Sequence, residues 1–436
     1  MFLDPVTIDT AKMAQEPGRK VGGKGISMMT TPSTLRHHFL VCPHKLRLVA
    51  LASFVLEKCR SREMPFSRNS VLEKCSSSSS PTKLIVFLST LKCVDFFLRL
   101  FDAVLNSTEL TDVDHDAGRA TGVKWEPIST AKTEKDAKRR PIAFFGLHGE
   151  MPQDQRTKTF RDFKSSGTAA AAAASGDDED SPRQSSVLFC TDVGARGLDV
   201  ADVSWIVQFH PPGPPEDYVH RVGRCARAGS SGNALLFLTP TETGYVNHLR
   251  EKADIPALEE LPLLKVLSKG LLPGAKRYLA AGGGKKDVEK QKPIKMEDAA
   301  TCLQLKMENV VVVSTNEAGD DKDGKKVEDK KDVEVPTEES SAKPAPPSFM
   351  SLSKAAYFSF IRSYATYPKD VKQLGFNIKT LHLGHVAKSF ALREPPSKIK
   401  DVDGNIRQKK KKVIAKEGKP KNRRKLKQMS EFSSGL

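Results

Sequence analysis

The segment HRVGRCARAG, from His220 to Gly229, places one histidine and three arginines close together beside a glycine. Arginine suits phosphoryl groups because its planar guanidinium offers a fixed fork of donors and keeps its charge. A site for phosphoryl transfer also needs a glycine-rich loop that ends in Lys and Ser or Thr, and carboxylates that hold magnesium. The segment therefore predicts one part of a nucleotide site, and the other part must be sought elsewhere.

Between residues 38 and 252, apolar runs alternate with helix-like segments. These runs and segments indicate the strands and helices that would position the arginine segment. Six runs are strand candidates: HFLVC, KLIVFL, IAFFGLH, SVLFC, SWIVQFH and NALLFL. Such runs suit strands that are buried on both faces. The pattern predicts an α/β domain with a parallel sheet flanked by helices.

Other parts of the chain differ from this domain in composition. Polar or low-complexity segments near 60–80, 106–140 and 167–186 are predicted to be disordered surface insertions. Helical segments are expected at 253–313 and 348–397, with a charged, disordered insertion at 314–347 between them. In AAYFSFIRSYATY the aromatic residues recur at helical spacing, which favours core positions over base-stacking platforms.

The charge of the chain favours a polyanionic partner. The formal net charge is +17 with a pI near 9.4. Residues 401–436 hold 12 Lys/Arg and 4 Asp/Glu, so 12 − 4 gives +8 in the predicted disordered basic tail, 398–436. A run of this kind is typical of a solvated arm and secondarily of a nuclear-localisation or RNA-binding segment.

The cysteines and the apolar runs argue against several classes. The seven cysteines form no C-x-x-C pair, so neither zinc or another metal site nor a disulfide framework is indicated. No apolar run approaches the length of a membrane span. We expect a soluble intracellular protein in a reducing compartment, with no membrane partner.

Several spaced blocks resemble one family. FFGLHGEMPQDQRTKTFRDF, VLFCTDVGARGLDV and YVHRVGRCARAG, preceded by KLIVFLST, are similar in type and order to the second RecA-like lobe of the DEAD-box RNA helicases. His220 favours the DEAD-box branch over the DEAH and RecQ types. The segment SFIRSYATYPKDVKQLGFNIKTLHLGHVAKSFALREPP resembles the C-terminal extension of nucleolar ribosome-assembly members, most closely the Dbp7-type subgroup. The resemblance implies a RecA-like lobe at 38–252 after an interlobe linker at 1–37.

In that family ATP binds with Mg²⁺ between two lobes and RNA lies across both. The resemblance implies that Arg224 and Arg227 act as arginine fingers on the γ-phosphate and that His220 links ATP occupancy to lobe closure. It further implies two sets of binding residues: Gly197 and Asp199 for the ribose of the nucleotide, and Thr90, Gln153, Arg156, Thr191 and Asp192 for the RNA backbone. Backbone contacts do not read base sequence.

Three of these residues also have a purely structural interpretation. Asp192 follows a strand, where an acidic residue is commonly a helix cap. Arg156 could be a solvated helix residue, and Thr90 could begin the helix after KLIVFLS. Cys225 is expected to serve packing.

The first lobe is not found in the sequence. No G-x-x-x-x-G-K-[ST] loop and no Asp-Glu-Ala-Asp sequence occur in the 436 residues, and the acidic run GDDED lies in low-complexity sequence. We expect the chain alone to be inactive, because ATP and Mg²⁺ binding need that lobe. Two hypotheses remain: an ATP-dependent RNA helicase of rRNA processing and large-subunit assembly, acting in the nucleolus on pre-ribosomal RNA and particles, or a non-catalytic RNA-binding assembly factor that keeps the lobe as scaffold.

Overall fold

A computed structural model of the 436-residue chain describes most of the α/β region and the helical C-terminal region. The described residues are 34–59, 81–106, 117, 120–125, 141–166, 184–196, 203–224, 232–255, 257–277, 293–317, 347–394 and 399. The predicted insertion at 60–80, most of the predicted insertions at 167–186 and 314–347, most of the predicted linker at 1–37, and the predicted basic tail at 398–436 apart from residue 399 lie outside these residues.

The centre of the fold is a parallel sheet of seven strands. The strands are β1 Leu35–Val41, β2 Lys83–Phe87, β4 Ala143–Leu147, β5 Ser186–Cys190, β6 Trp205–Gln208, β7 Gly232–Leu238 and β8 Glu259–Glu260. Their order in the sheet is β4-β5-β2-β6-β7-β1-β8, and all neighbours pair in parallel. Six strands coincide with the six apolar runs, which confirms the predicted α/β sheet, and the short edge strand β8 was not predicted.

Helices flank the sheet and form most of the C-terminal region, as the sequence predicts. They are α1 His44–Cys59, α2 Leu91–Asn106, α3 Gln153–Ser165, α4 Asp192–Ala195, α5 Pro215–Val222, α6 Gly244–Ala253, α7 Leu263–Leu271, α8 Met296–Glu317, α9 Phe349–Tyr364, α10 Lys369–Gln373 and α11 Leu383–Lys388. Helix α1 packs on α7 and α11, and α2 packs on α9.

The C-terminal helices share the hydrophobic core of the sheet. The ring of Phe97 on α2 lies 5.3 Å from that of Phe209, after β6, and 6.0 Å from that of Phe390, just after α11. All three side chains are buried. Because tightly packed aromatic rings stabilise a shared core, the extension is an integral layer of the lobe. On α9, Tyr357, Phe360 and Tyr364 are also buried, which confirms that these aromatic residues serve the core.

The structure differs from the sequence prediction within residues 106–140. There, Val123–Trp125 form β3, which pairs antiparallel with β9, Ala275–Arg277, in a separate two-stranded sheet. Val123 is 2% exposed and Trp125 is 1% exposed. The prediction of a surface insertion is therefore wrong for these residues. Three residues are too few to show a period, and their partners on β9 and α8 lie far away in sequence.

The cysteines within the described ranges are structural. All five are buried, and no disulfide joins them. Burial raises the pKa of the Cys42 and Cys93 thiols to about 12, so both stay protonated. Across the same ranges, no helix is both long and apolar enough to cross a lipid bilayer.

Candidate functional site

The candidate site lies at the carboxyl edge of the sheet. Ser89 and Thr90 follow β2, Thr191 follows β5, and His210 follows β6. Strand β2 pairs with both β5 and β6, so these three ends are neighbours. Loops at the carboxyl edge of a parallel sheet commonly carry ligand sites, and the quoted sequence blocks meet here.

Helix α5 carries the histidine and the first arginine of the opening segment to this edge, and Arg224 follows just after the helix ends. Pro215 begins the helix, Glu216 and Asp217 lie in its first turn, and His220 and Arg221 lie in its last turn. This distribution matches the helix dipole at both ends. Tyr218 anchors the helix to β1, because its hydroxyl lies 2.9 Å from Nδ1 of His37.

Arg221 joins α5 to the end of β5. Its Nε and Nη2 donate to the two carboxylate oxygens of Asp192 at 2.6 and 2.7 Å. Its Nη1 donates to the carbonyl oxygen of His210 at 2.8 Å and to Oε1 of Gln208 at 3.3 Å. Burial opposes the charge of Arg221, but its hydrogen bonds and Coulombic attraction to Asp192 outweigh burial and raise its pKa. The guanidinium also lies 5.0 Å from the centre of the Phe87 ring.

A pocket of about 320 Å³, which we call the arginine pocket, opens beside α5. It is lined by Asp192, Arg196, Asp217, His220, Arg221 and Arg224, together with Phe87 and Ala195. The side chain of His220 is 54% exposed, and its Nδ1 lies 3.8 Å from the Asp217 carboxylate. The lining holds three arginines, Arg196, Arg221 and Arg224, against the two carboxylates of Asp192 and Asp217. The excess of one positive charge suits an anionic ligand.

A second cavity of about 490 Å³, which we call the hydroxyl groove, lies along the same edge. Its lining includes Ser89, Thr90, Lys92, Glu150, Thr191, Ser359 and Arg362. Two of the hydroxyls also cap helices: Oγ1 of Thr90 accepts from the Cys93 N–H at 3.3 Å, and Oγ1 of Thr191 accepts from the Gly194 N–H at 3.2 Å. Each of these two caps holds its threonine at the groove.

Gly194 brings α4 close to β4. A Cβ atom at this position would lie 2.4 Å from the carbonyl oxygen of Leu147, which is well below van der Waals contact. The Thr191 N–H also donates to that carbonyl, at 3.2 Å. Only glycine allows this approach, which sets the position of Thr191 and Asp192.

The end of β6 presents a buried, neutral histidine. The Ser89 N–H donates to Nδ1 of His210 at 3.0 Å. Burial, with smaller contributions from the charge of Arg47 and from His44, lowers the pKa of His210 well below its usual value. Burial likewise lowers the pKa of His44 to about 3. These histidines therefore serve as neutral structural groups beneath the site.

The structure brings together only some of the predicted site residues. Thr90 and Thr191 line the hydroxyl groove, and Asp192, His220 and Arg224 line the arginine pocket. Gln153 and Arg156 lie on α3 and line neither cavity; Nη1 of Arg156 lies 3.5 Å from Oε1 of Gln153. Gly197, Asp199, Cys225 and Arg227 lie outside the described residues.

The structure also bears on the purely structural interpretations of Asp192, Thr90 and Arg156. Thr191, rather than Asp192, is the cap of α4, while Asp192 binds Arg221. Thr90 does cap the start of α2, and it lines the groove as well. Arg156 is half-buried rather than fully solvated.

Sequence reasoning missed Arg221 as a site residue, and it missed Ser359 and Arg362 on α9. A signal for Arg221 was present, because a buried arginine needs an acidic partner and Asp192 follows a neighbouring strand. No local signal pointed to the α9 residues, since their place at the groove depends on how α9 packs.

Two known family descriptions match the chain. "Helicase conserved C-terminal domain" matches residues 123–229. "ATP-dependent rRNA helicase SPB4-like, C-terminal extension" matches residues 347–398. The first range ends with the opening arginine segment, and the second contains α9, α10 and α11.

Three curated relatives illustrate the similarity. "ATP-dependent DNA helicase DDX31" of Homo sapiens is 32% identical over 394 residues, which are 89% of this chain and 35% of the relative. "ATP-dependent RNA helicase DBP7" of Candida glabrata is 32% identical, with 91% of this chain and 48% of the relative covered. "ATP-dependent RNA helicase dbp7" of Schizosaccharomyces pombe is 30% identical, with 86% and 41% covered. The chain spans less than half the length of each of these relatives.

Among solved structures, the chain is similar to "DEAD-box helicase Mss116 bound to ssRNA and UDP-BeF". The TM-score is 0.45 at 16% sequence identity, with 84% of this chain and 46% of that one covered.

Proposed function

Because the chain belongs to the DEAD-box RNA helicases, as their second RecA-like lobe with a Dbp7-type C-terminal extension, we propose that it is part of an ATP-dependent RNA helicase. The proposed activity is the remodelling of RNA duplexes, driven by ATP hydrolysis, during rRNA processing and large ribosomal subunit assembly. Pre-ribosomal RNA and particles would be its partners, and the nucleolus its location. The names of the yeast relatives and of the C-terminal extension support this proposal.

One observation carries the proposal: the two cavities adjoin at the consecutive residues Thr191 and Asp192, and the bidentate pair with Arg221 fixes Asp192 in place. Asp192 directly follows Thr191, which lines the hydroxyl groove. Arg221 directly follows His220, which lines the arginine pocket. A link of this kind transmits a shift of the residues at one cavity to the residues at the other. Coupling of RNA binding to ATP hydrolysis requires such a connection.

The arginine pocket fits the phosphate end of a nucleotide. ATP would supply the phosphoryl group whose hydrolysis drives remodelling. Arg224 would place its guanidinium against the γ-phosphate as an arginine finger, together with Arg227. His220 would respond to ATP occupancy. Gly197 and Asp199 would hold the ribose.

The residues for Mg²⁺ are proposed to lie in a first lobe. Among the described residues, no cluster of three or more His, Cys, Asp or Glu side chains is arranged to hold a metal ion. Neither a phosphate-binding loop ending in Lys and Ser or Thr nor an Asp-Glu-Ala-Asp sequence occurs in the 436 residues. Arginine fingers stabilise the transition state only after the nucleotide is in place.

The hydroxyl groove is the proposed RNA site of this lobe. Thr90 and Thr191 would contact the ribose-phosphate backbone in the groove, with Gln153 and Arg156 on α3. Asp192, which follows Thr191, would take part from the adjoining arginine pocket. Hydroxyl, amide and guanidinium donors suit phosphate oxygens and carry no base sequence information. Such contacts suit an enzyme that acts on many duplexes.

The test adds a first lobe to the chain and removes the guanidinium of Arg224. The first lobe of a close relative is fused ahead of Met1, and RNA-stimulated ATP hydrolysis is measured for the fusion and for Arg224→Ala. Loss of an arginine finger costs on the order of 10³ to 10⁵ in rate, so we expect turnover of the variant to fall close to background. The 436-residue chain without the fusion should show no ATPase above its own Arg224→Ala variant.

A matched control is Arg250→Ala, which removes an exposed arginine on α6 that lines neither cavity. This variant of the fusion should hydrolyse ATP like the parent. If Arg224→Ala also keeps parental turnover, the assignment of the arginine pocket is wrong. A fusion that binds RNA but never hydrolyses ATP would favour the alternative, a non-catalytic RNA-binding assembly factor.

A further inference from the structure

Helix α9 of the C-terminal extension forms one wall of the hydroxyl groove. Three of its residues line the cavity: Ala355, Ser359 and Arg362. Their spacing of four and three residues places them on one face of the helix. The stripe beside them, Ala356, Phe360 and Tyr364, is buried against the lobe. The amphipathic pattern of α9 therefore presents a polar edge to the groove.

Packing holds this wall in place. The ring of Phe360 lies 4.6 Å from the ring of His210. The hydroxyl of Tyr364 donates to Oε1 of Glu242 at 2.6 Å, and Sγ of Cys93 donates to the carbonyl oxygen of Ala356 at 3.7 Å. Contacts to three separate parts of the lobe leave α9 little freedom to turn or slide. The position of Arg362 at the groove is therefore set by the core.

The lining of the groove suits the backbone of a nucleic acid strand. Two exposed cations, Lys92 on α2 and Arg362 on α9, lie on different walls, with the hydroxyls of Thr90, Thr191 and Ser359 also in the lining. Glu150 is the one acidic residue among the groove-lining residues. None of those lining residues is aromatic, so the groove offers no ring on which a base could stack.

We propose that α9 takes part in binding the RNA strand and that Arg362 contacts a phosphate of its backbone. Lys92, on α2, contacts a second phosphate, and Ser359 offers a hydroxyl to the ribose-phosphate chain. The inference rests on the proposed function, because it extends the RNA site of the lobe onto the C-terminal extension. The extension then adds affinity for a single strand without adding sequence preference.

The experiment measures the salt dependence of binding to a single-stranded RNA of mixed sequence, with the full chain. Each phosphate contact on a single strand contributes about 0.7 to the slope of log K against log salt. Arg362→Ala should lower the slope by about 0.7 and weaken binding by up to roughly tenfold. Arg362→Lys should keep most of the slope, because a point charge suffices for a phosphate contact. Lys92→Ala should lower the slope by a similar amount.

The matched control is Lys379→Ala, which removes an exposed cation of the same extension that does not line the groove. Its slope should equal that of the parent, and thermal unfolding should show all four variants folded. A parental slope for Arg362→Ala in a chain that binds RNA overturns this inference and leaves the proposed function standing. A chain that binds no RNA at all contradicts both. Equal binding to DNA of the same sequence would keep the phosphate contact but exclude a role of the 2′-hydroxyl.

Discussion

At the residue scale, Arg221 is the side chain on which the geometry of the site depends. It is 4% exposed, and its guanidinium donates to Asp192, to Gln208 and to the carbonyl of His210. Removing the guanidinium in Arg221→Ala leaves these acceptors without a donor and removes packing on Phe87. Because the Asp192 carboxylate is partly exposed, water offsets some of the loss, and we expect the free energy of unfolding to fall by about 2 to 4 kcal/mol. Denaturant unfolding measures this change.

Two further variants separate charge from geometry. Arg221→Lys keeps a positive charge but loses the planar fork, so it should recover only a minor part of the stability. Asp192→Asn, combined with Arg221→Ala in a double-mutant cycle, should show a coupling of about 1 kcal/mol or more. The exposed-arginine control Arg250→Ala should change stability by less than about 0.5 kcal/mol. If Arg221→Ala changes the free energy of unfolding no more than this control does, the pair of Asp192 and Arg221 does not stabilise the fold.

At the element scale, α9 is joined to the lobe by a buried hydrogen bond. Glu242 is 1% exposed; its Oε1 accepts from the Tyr364 hydroxyl at 2.6 Å and its Oε2 accepts from the Thr239 N–H at 2.8 Å. Burial and the charge of Glu242 raise the pKa of Tyr364, which keeps the hydroxyl as a donor. In Tyr364→Phe the buried carboxylate loses one donor. We expect a loss of about 1 to 3 kcal/mol in the free energy of unfolding.

Hydrogen exchange shows whether this loss concerns the docking of α9. In Tyr364→Phe, amides of α9 should exchange faster through local opening, while amides of the interior strand β2 should change only by the global loss of stability. Glu242→Gln added to Tyr364→Phe should cost less than the sum of the single changes, because the two residues share one interaction. Unchanged exchange on α9 would mean that aromatic packing alone holds the helix.

At the scale of the whole molecule, the basic tail is expected to supply much of the non-specific affinity for RNA. It carries 12 Lys/Arg against 4 Asp/Glu in residues 401–436, a difference of 12 − 4 = +8. Since counterion release scales with the number of phosphates neutralised, deletion of residues 401–436 should flatten the salt slope of RNA binding. A tail of the same length with its Lys and Arg changed to Ser is the control, and it should behave like the deletion. An unchanged slope would place the charge contacts on the lobe.

The sequence by itself determined the order and type of the main elements. Six strands coincide with apolar runs, and the helices of the C-terminal extension show helical periodicity. Both were predictable because apolar runs and periodicity are local properties of the sequence. The same holds for the buried aromatic residues of α9. The sequence blocks that follow the strands meet at the carboxyl edge, since parallel strands bring their following loops to one side of the sheet.

Tertiary structure alone decided which side chains act together. Asp192 and Arg221 are 29 positions apart, and the contact between Cys93 and Ala356 spans 263 positions. Trp125, predicted to lie in a surface insertion, is buried because β9 and α8 cover it. Arg362 reaches the groove because Phe360 and Tyr364 fill the core beside it. Local patterns set which elements form, whereas pairings between distant elements depend on packing that only the folded chain establishes.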